Sequence, residues 1–221
     1  MKGWRTNQTQ DYYFRKAKAE GYRARSAYKL LEINTRFNLI RPGSTVLDLG
    51  AAPGGWSQVI SQLAGPSSRI VAVDIQSMVP IPGVQVMRAD ITDPNCTGRI
   101  QEALGVDADV VVSDAAPNVS GIRPTDHARS IELAIHSLGI ALRVLRKGGA
   151  FVVKLLRGED FDNFVSLAKR YFQTARTYIP EASRKESREA YLVCMGLHEK
   201  ADLDASILLR AYPKNESKDS L

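Results

Sequence analysis

Residues 45–58 read Thr45-Val46-Leu47-Asp48-Leu49-Gly50-Ala51-Ala52-Pro53-Gly54-Gly55-Trp56-Ser57-Gln58. An apolar run rich in strand formers enters a cluster of small residues and leaves it in WSQVISQLAG, a helix-like pattern. That is the signature of strand, tight turn and helix. Small residues at such a turn let backbone N–H groups approach a ligand closely. The spacing is not the G-x-G-x-x-G of dinucleotide sites, and Pro53 and Trp56 fit that pattern poorly. An NAD-linked oxidoreductase therefore lacks its fingerprint.

The alternation continues downstream. Strands are expected at 44–50, 69–75, 84–90, 108–115 and 149–156, with a long amphipathic helix over ARSIELAIHSLGIALRVL stopped by Lys147-Gly148-Gly149. The last third reads as a helix (FDNFVSLAKRYF), a short strand near ARTYIP, a polar loop and a strand AYLVCMGL. Strands alternating with helices predict an α/β fold, an open and mostly parallel sheet with helices on both faces. The second strand ends at Asp74, 24 residues after Gly50, where a carboxylate can accept hydrogen bonds from both hydroxyls of a ribose. The third ends at Asp90, placed for an adenine or ribose edge. Either acid alone could merely cap the next helix. Together with the glycine turn they point to a nucleoside-containing cofactor at the carboxyl edge of the sheet.

Charge is concentrated at the start. Residues 1–41 carry ten Lys and Arg against three acids, a net +7, whereas the whole 221-residue chain is +6. A basic segment beside a near-neutral remainder suits a polyanion. Its aromatics (Trp4, Tyr12, Tyr13, Phe14, Tyr22 and Tyr28) could stack on unpaired bases or simply anchor the segment. Within it, RSAYKLLEINTRF has helical periodicity. Ala27, Leu30, Leu31, Asn34 and Phe37 share one face, and Arg25, Lys29 and Arg36 the polar one. The length suits one domain over 1–198 with a polar tail, 199–221, in which ASILLRAY could form a short helix. No apolar run reaches membrane-spanning length, and the opening residues lack the apolar stretch of a secretory signal. Cys96 and Cys194 offer neither a disulfide framework nor a metal cluster, so reduced thiols, no metal and a cytoplasmic location are expected.

Lys154 is the most anomalous residue. It interrupts Phe151-Val152-Val153-Lys154-Leu155-Leu156, otherwise a central strand. A buried lysine needs an acidic partner or a function. Asp114, after Val110-Val111-Val112 and within Ser113-Asp114-Ala115-Ala116-Pro117, ends a strand that would lie beside it. A structural Lys–Asp pair and a catalytic one are both open on pattern alone.

With these motifs in place, the chain resembles the FtsJ-like (RrmJ/RlmE) 2′-O-ribose RNA methyltransferases over residues 11–197. The resemblance rests on Arg25-Ser26-Ala27-Tyr28-Lys29-Leu30, the stretch Asp48–Gln58, Ser113-Asp114-Ala115-Ala116-Pro117-Asn118, Phe151–Lys154, and Ser183-Arg184-Lys185-Glu186-Ser187-Arg188-Glu189. It implies a Rossmann-like, seven-stranded sheet whose last strand runs antiparallel. It implies a Lys-Asp-Lys-Glu tetrad at Lys29, Asp114, Lys154 and Glu189, and S-adenosyl-L-methionine held by Gly54, Trp56, Asp74, Asp90 and Asp114. Lys29 and Glu189 enter only through it, since pattern alone makes one a solvated lysine and the other an exposed strand-opening acid. Where the family often has methionine after the motif aspartate, this chain has Ala115, which should enlarge that wall slightly.

The implied reaction needs the 2′-oxygen held in line with the methyl group and its proton removed. Lys154, acting neutral, is the candidate base; the alternative is a charged Lys154 stabilising the alkoxide while Asp114 steers the hydroxyl. His127, placed between the fourth strand and its helix, His136 and His198 have neither triad nor zinc spacing. Arg23, Arg25, Arg123, Arg184, Lys185 and Arg188 are the candidate RNA contacts around the cleft mouth. The expected substrate is a uridine of large-subunit ribosomal RNA. The alternative is a tRNA anticodon loop, because tRNA-acting relatives share the Tyr-Tyr-x-x-x-Ala-Lys opening seen at Tyr12–Lys18. A non-catalytic RNA-binding module would be free to lose Lys154.

Overall fold

The computed structural model describes residues 12–118, 120–184, 187–201 and 208–209. Its seven strands are β1 (Thr45–Leu49), β2 (Arg69–Asp74), β3 (Val84–Arg88), β4 (Ala108–Ser113), β5 (Leu145–Leu156), β6 (Phe172–Tyr178) and β7 (Glu189–Leu197). They form one sheet in the order β3-β2-β1-β4-β5-β7-β6. Strands β1 to β5 pair in parallel, and β7 runs antiparallel to both β5 and β6. The expected α/β architecture and its antiparallel last strand are both present. The chain runs outward from β1 to β3 and then returns to β4 on the other side of β1. The carboxyl ends of β1 and β4 therefore flank a topological switch point, where such sheets open a crevice.

The helices are α1 (residues 12–19), α2 (Ala27–Phe37), α3 (Gly55–Ala64), α4 (Cys96–Leu104), α5 (Arg123–Val144) and α6 (Phe161–Ala168). Side chains alternate across a strand, so each central strand buries both faces. Val46, Val110, Val112, Val152 and Val193 meet Leu30 and Ile33 of α2 and Trp56, Val59 and Ile60 of α3. Leu47, Leu49, Val71, Val73, Val111, Phe151 and Val153 meet α4, α5 and α6 on the other face.

Some boundaries differ from the sequence reading. Helix α5 begins at Arg123, several residues early, because Pro124 is tolerated in a first turn where its missing N–H costs nothing. This puts His127 inside the helix, where its ring bonds the Leu156 carbonyl and the Asp160 N–H at 2.9 and 3.0 Å. At the other end, β5 starts at Leu145, and its pairing with β4 jumps from Ala108↔Leu145 to Val110↔Ala150. Lys147-Gly148-Gly149 thus lies in an irregularity of the strand, not in a loop before it; Gly148 takes φ +78°. Helix α4 escaped the pattern because its buried face is sparse: Cys96, Thr97, Ile100 and Leu104. In α2, Asn34 does face inward, but to accept hydrogen bonds from the N–H groups of Leu39 and Ile40 that turn the chain toward β1. Most of ASILLRAY lies outside the described residues.

Candidate active site

The glycine turn builds a cleft at the switch point. Gly50 takes φ +70°, and a Cβ there would lie 2.5 Å from the Ala115 Cα. Only glycine lets the loops after β1 and β4 touch. Asp74 holds the turn from below: its carboxylate accepts the Ala52 N–H at 2.9 Å and the Gln76 N–H at 2.7 Å. The resulting cleft measures about 550 Å³ and is lined by Gly50, Asp74, Asp90, Asp114 and Lys154 among others. Asp90 accepts both the N–H and hydroxyl of Thr92, and these bonds hold its carboxyl below the usual carboxylate range. Helix α5 contributes Arg129, Glu132 and Leu133 to the wall. They share the spacing of one helix face, but periodicity could not say that this face meets the cleft.

Gly54 and Trp56 sit behind this wall. A Cβ on Gly54 would be 2.9 Å from Arg23, Ile81 and Met78, not from the cleft's contents. Trp56 is buried, donates its indole N–H to the Ser26 carbonyl at 2.8 Å, and lies 5.6 Å ring to ring from Tyr191. The Trp56 side chain is therefore committed to the core. The Gly54 N–H is given to the Ala51 carbonyl at 2.7 Å, so what this end of α3 can offer a ligand is the N–H of Trp56 and its first-turn neighbours, which have no intrahelical acceptor.

The four tetrad positions converge from four separate elements. Val152 and Lys154 share one face of β5, and Tyr191 and Glu189 share that face of β7, because Lys154 pairs with Tyr191 and Leu156 with Glu189. Lys154 Nζ lies 3.1 Å from Asp114 Oδ1 and donates to the Asp114 carbonyl at 2.5 Å. Lys29 Nζ lies 2.7 Å from Glu189 Oε2. Lys29 is 7% exposed, so the solvated lysine expected from its helix face is corrected. The α2 helix packs its flank, not only its apolar stripe, against the sheet edge, and Glu189 compensates the buried charge. Burial works against the Glu189 carboxylate, yet Lys29, Lys154 and the Ser187 hydroxyl together hold it below its usual range. Tyr191 links the two pairs. Its hydroxyl donates to Asp114 Oδ1 at 2.8 Å, and its ring centroid lies 5.7 Å from Lys29 Nζ. Burial, then the Asp114 charge, push this phenol well up. In the sequence it is simply the aromatic member of an apolar strand.

The basic residues divide. Arg25 donates to the Ala182 carbonyl at 2.8 Å, and its Nη1 is buried without a hydrogen-bond partner among the described residues. Glu32 accepts the N–H groups of Glu181 and Ala182 at 2.6 and 3.0 Å, so the loop before β7 is pinned to α2. Arg123 and Arg184 are exposed, and Arg188 bonds the Arg157 carbonyl. Lys185 and Trp4 lie outside the described residues. Arg23, in contrast, spends its guanidinium on backbone carbonyls at the edge of the cleft.

Beneath the turn lies Asp48, fully buried in β1. Its Oδ2 accepts the Ser57 hydroxyl at 2.6 Å, while Oδ1 has no partner among the described residues. Burial first, then the nearby Asp114 and Asp74 charges, push its carboxyl up to about 7, and the Ser57 bond only partly opposes them. Its folded value stands above its unfolded one, so its contribution to stability is complete below about pH 4 and lost as pH rises through 7. Asp48→Asn removes that loss. Thermal melts should show the variant gaining on wild type from pH 4 to 8, by roughly 4 kcal/mol in total. Parallel curves would place the charge elsewhere.

A doubly wound sheet with a nucleoside-sized cleft at its switch point, an Asp114–Lys154 pair in the cleft wall and a Lys29–Glu189 pair on the other side of Tyr191, has the architecture of an α/β group-transfer enzyme. Residues 22–197 match the model of the FtsJ-like methyltransferases. The chain belongs to that family. It is 52% identical to ribosomal RNA large subunit methyltransferase E of Methanothrix thermoacetophila over 83% of this chain and 71% of the relative. It is 51% identical to the protein of the same name from Archaeoglobus fulgidus over 83% of this chain and 94% of that one. A ribosomal RNA methyltransferase from Plasmodium falciparum superposes with a TM-score of 0.72 at 29% identity, covering 80% of this chain and all of that one.

Proposed function

We propose that this methyltransferase transfers a methyl group from S-adenosylmethionine to a ribose 2′-hydroxyl of large-subunit ribosomal RNA, at a uridine, in the cytoplasm. The observation that carries this reading is the convergence of the Asp114–Lys154 and Lys29–Glu189 pairs beside the cleft. Relatives named for the large ribosomal subunit favour that RNA over tRNA.

The chemistry of the cleft fits the cofactor. Gly50 lines the cleft and lets the Asp114–Ala115 loop close against the turn, and the volume of about 550 Å³ suits a nucleoside-sized ligand. Asp74 and Asp90 offer acceptors for ribose hydroxyls and the adenine edge, and Asp114 lies beside them in the lining. Trp56 would contribute through its backbone N–H, whereas Gly54, whose N–H is taken by the Ala51 carbonyl, would contribute the φ +109° bend that shapes the turn. S-adenosylmethionine supplies a methyl group already activated by its sulfonium, which leaves the chain to align the acceptor and manage one proton. Lys154 takes the 2′-hydroxyl proton in its neutral form. Asp114 holds its ammonium in place at the other stages, Tyr191 fixes Asp114, and Lys29 and Glu189 complete the polar floor. Arg123, Arg184, Lys185 and Arg188 would meet the RNA backbone, and Arg25, tied to the Ala182 carbonyl with its Nη1 buried, would add its charge from behind that loop. The 1–41 segment belongs with the catalytic unit of residues 1–198; the expected separate tail at 199–221 is corrected in part, because Leu208 is buried in the main core and the Ala201 N–H bonds the Leu142 carbonyl.

The expected target is a splayed-out nucleotide within a folded RNA, recognised by shape more than by a long sequence. Labelled cofactor, offered with large ribosomal subunits lacking the modification, bare ribosomal RNA and tRNA, should mark the subunit best. Alkaline-cleavage mapping should show one newly resistant position. Efficient labelling of tRNA but not of the subunit would transfer the assignment to the anticodon loop; label on a base would overturn the 2′-O reading.

A further inference from the structure

Arg23 lies in the basic segment, yet its side chain faces inward. The guanidinium donates to the Pro53 carbonyl at 3.3 Å, the Val79 carbonyl at 2.6 Å and the Pro80 carbonyl at 2.9 Å. Pro53 belongs to the glycine turn between β1 and α3, in which Gly50 and Ala52 line the cleft; Val79 and Pro80 belong to the β2–β3 connection, in which Ile75 and Gln76 line it directly after Asp74 of β2. The guanidinium therefore spans the two loops that form one side of the opening: Nη1 bonds both of them, and Nη2 adds a second bond to the β2–β3 connection. Gly54, at φ +109°, packs against the guanidinium, where an added Cβ would lie 2.9 Å from Arg23 Nη1. The arm is itself anchored: Gln58 of α3 accepts the Arg23 N–H at 2.8 Å and donates to the Gly21 carbonyl at 3.0 Å, and Tyr22 bonds Gln62 at 2.8 Å.

We infer that Arg23 is a positioning residue for the cofactor, a clamp that holds the two loops at their binding separation, and not a phosphate contact. The inference rests on the cleft being the cofactor's site. Without the clamp the loops sample wider separations, and apparent affinity falls with the fraction of chains that stay closed. A drop of that fraction to about a tenth raises the cofactor Kd about tenfold.

Calorimetric titration of S-adenosylhomocysteine into wild type, Arg23→Ala and Arg23→Gln tests this, the glutamine variant keeping a stem and one donor should alanine fail to fold. Both variants should bind about tenfold more weakly. The KM for cofactor should rise alike while kcat at saturation and the salt slope of RNA binding stay near wild type. Hydrogen exchange should quicken at residues 50–56 and 76–82 in the ligand-free protein. Unchanged cofactor affinity, or a flattened salt slope with unchanged cofactor affinity, overturns the clamp. Asp74→Ala is the control for the underlying reading: if it too leaves cofactor affinity unchanged, the cleft assignment is what fails.

Discussion

Lys154→Met should lower methyl transfer by about 10²–10⁴-fold, the range that a positioned acid or base contributes. The methionine matches the stem of lysine and suits a strand whose neighbours Val153 and Leu155 are buried, so the fold should survive. Asp114 keeps the Tyr191 hydroxyl as a donor in that variant, which limits the cost of the lost ion pair. Single-turnover assays with saturating RNA and cofactor give the rate; calorimetry should show cofactor affinity within a few-fold of wild type. Lys154→Arg separates the two roles open to the lysine. A guanidinium keeps the charge but cannot act as a base, so a base mechanism leaves this variant as inactive as the methionine one. Substantial activity in the arginine variant would mean that Lys154 works by stabilising the alkoxide. Parallel loss of cofactor affinity and rate in the methionine variant would make the Lys154–Asp114 pair structural.

Gly50→Ala should weaken cofactor binding by roughly 100-fold, equivalent to about 2.8 kcal/mol. Two costs act together. A non-glycine residue at φ +70° costs about 1–3 kcal/mol of backbone strain. The new Cβ would also stand 2.5 Å from the Ala115 Cα and 2.6 Å from its N, both backbone atoms that no rotamer change can clear. The loop carrying Asp114 and Ala115 must then retreat from the turn. That loop lines the cleft, so cofactor binding should suffer before the sheet does. Binding calorimetry and a thermal melt on one preparation decide it. Near-native affinity would mean that the two loops are free to part, contrary to their packing.

The sequence by itself determined whatever depends on near neighbours. Short apolar runs specified the central strands, the small residues after Leu49 specified the turn, and the charge inside Phe151–Leu156 marked Lys154 without any partner in view. Asp74 and Asp114 were legible as acids at strand ends because strand ends are local events. Tertiary structure alone decided which of these groups meet. Lys29 and Glu189 stand 160 residues apart, and their contact follows from β7 lying antiparallel beside β5 under α2. The helical period gave Lys29 a polar face but could not show that this face is buried against a carboxylate. Tyr191 read as one more strand aromatic until the Lys154–Tyr191 register set its hydroxyl on Asp114. Arg23 counted as one positive charge of a basic arm, whereas the fold turns it into a link between two loops. Asp48 shows the same limit from the opposite side. An acid within an apolar strand is visible in the sequence, but the raised carboxyl follows from complete burial near Asp114 and Asp74. Periodicity and turn chemistry act over a few residues, while burial and charge pairing depend on strand order, which brings distant segments together.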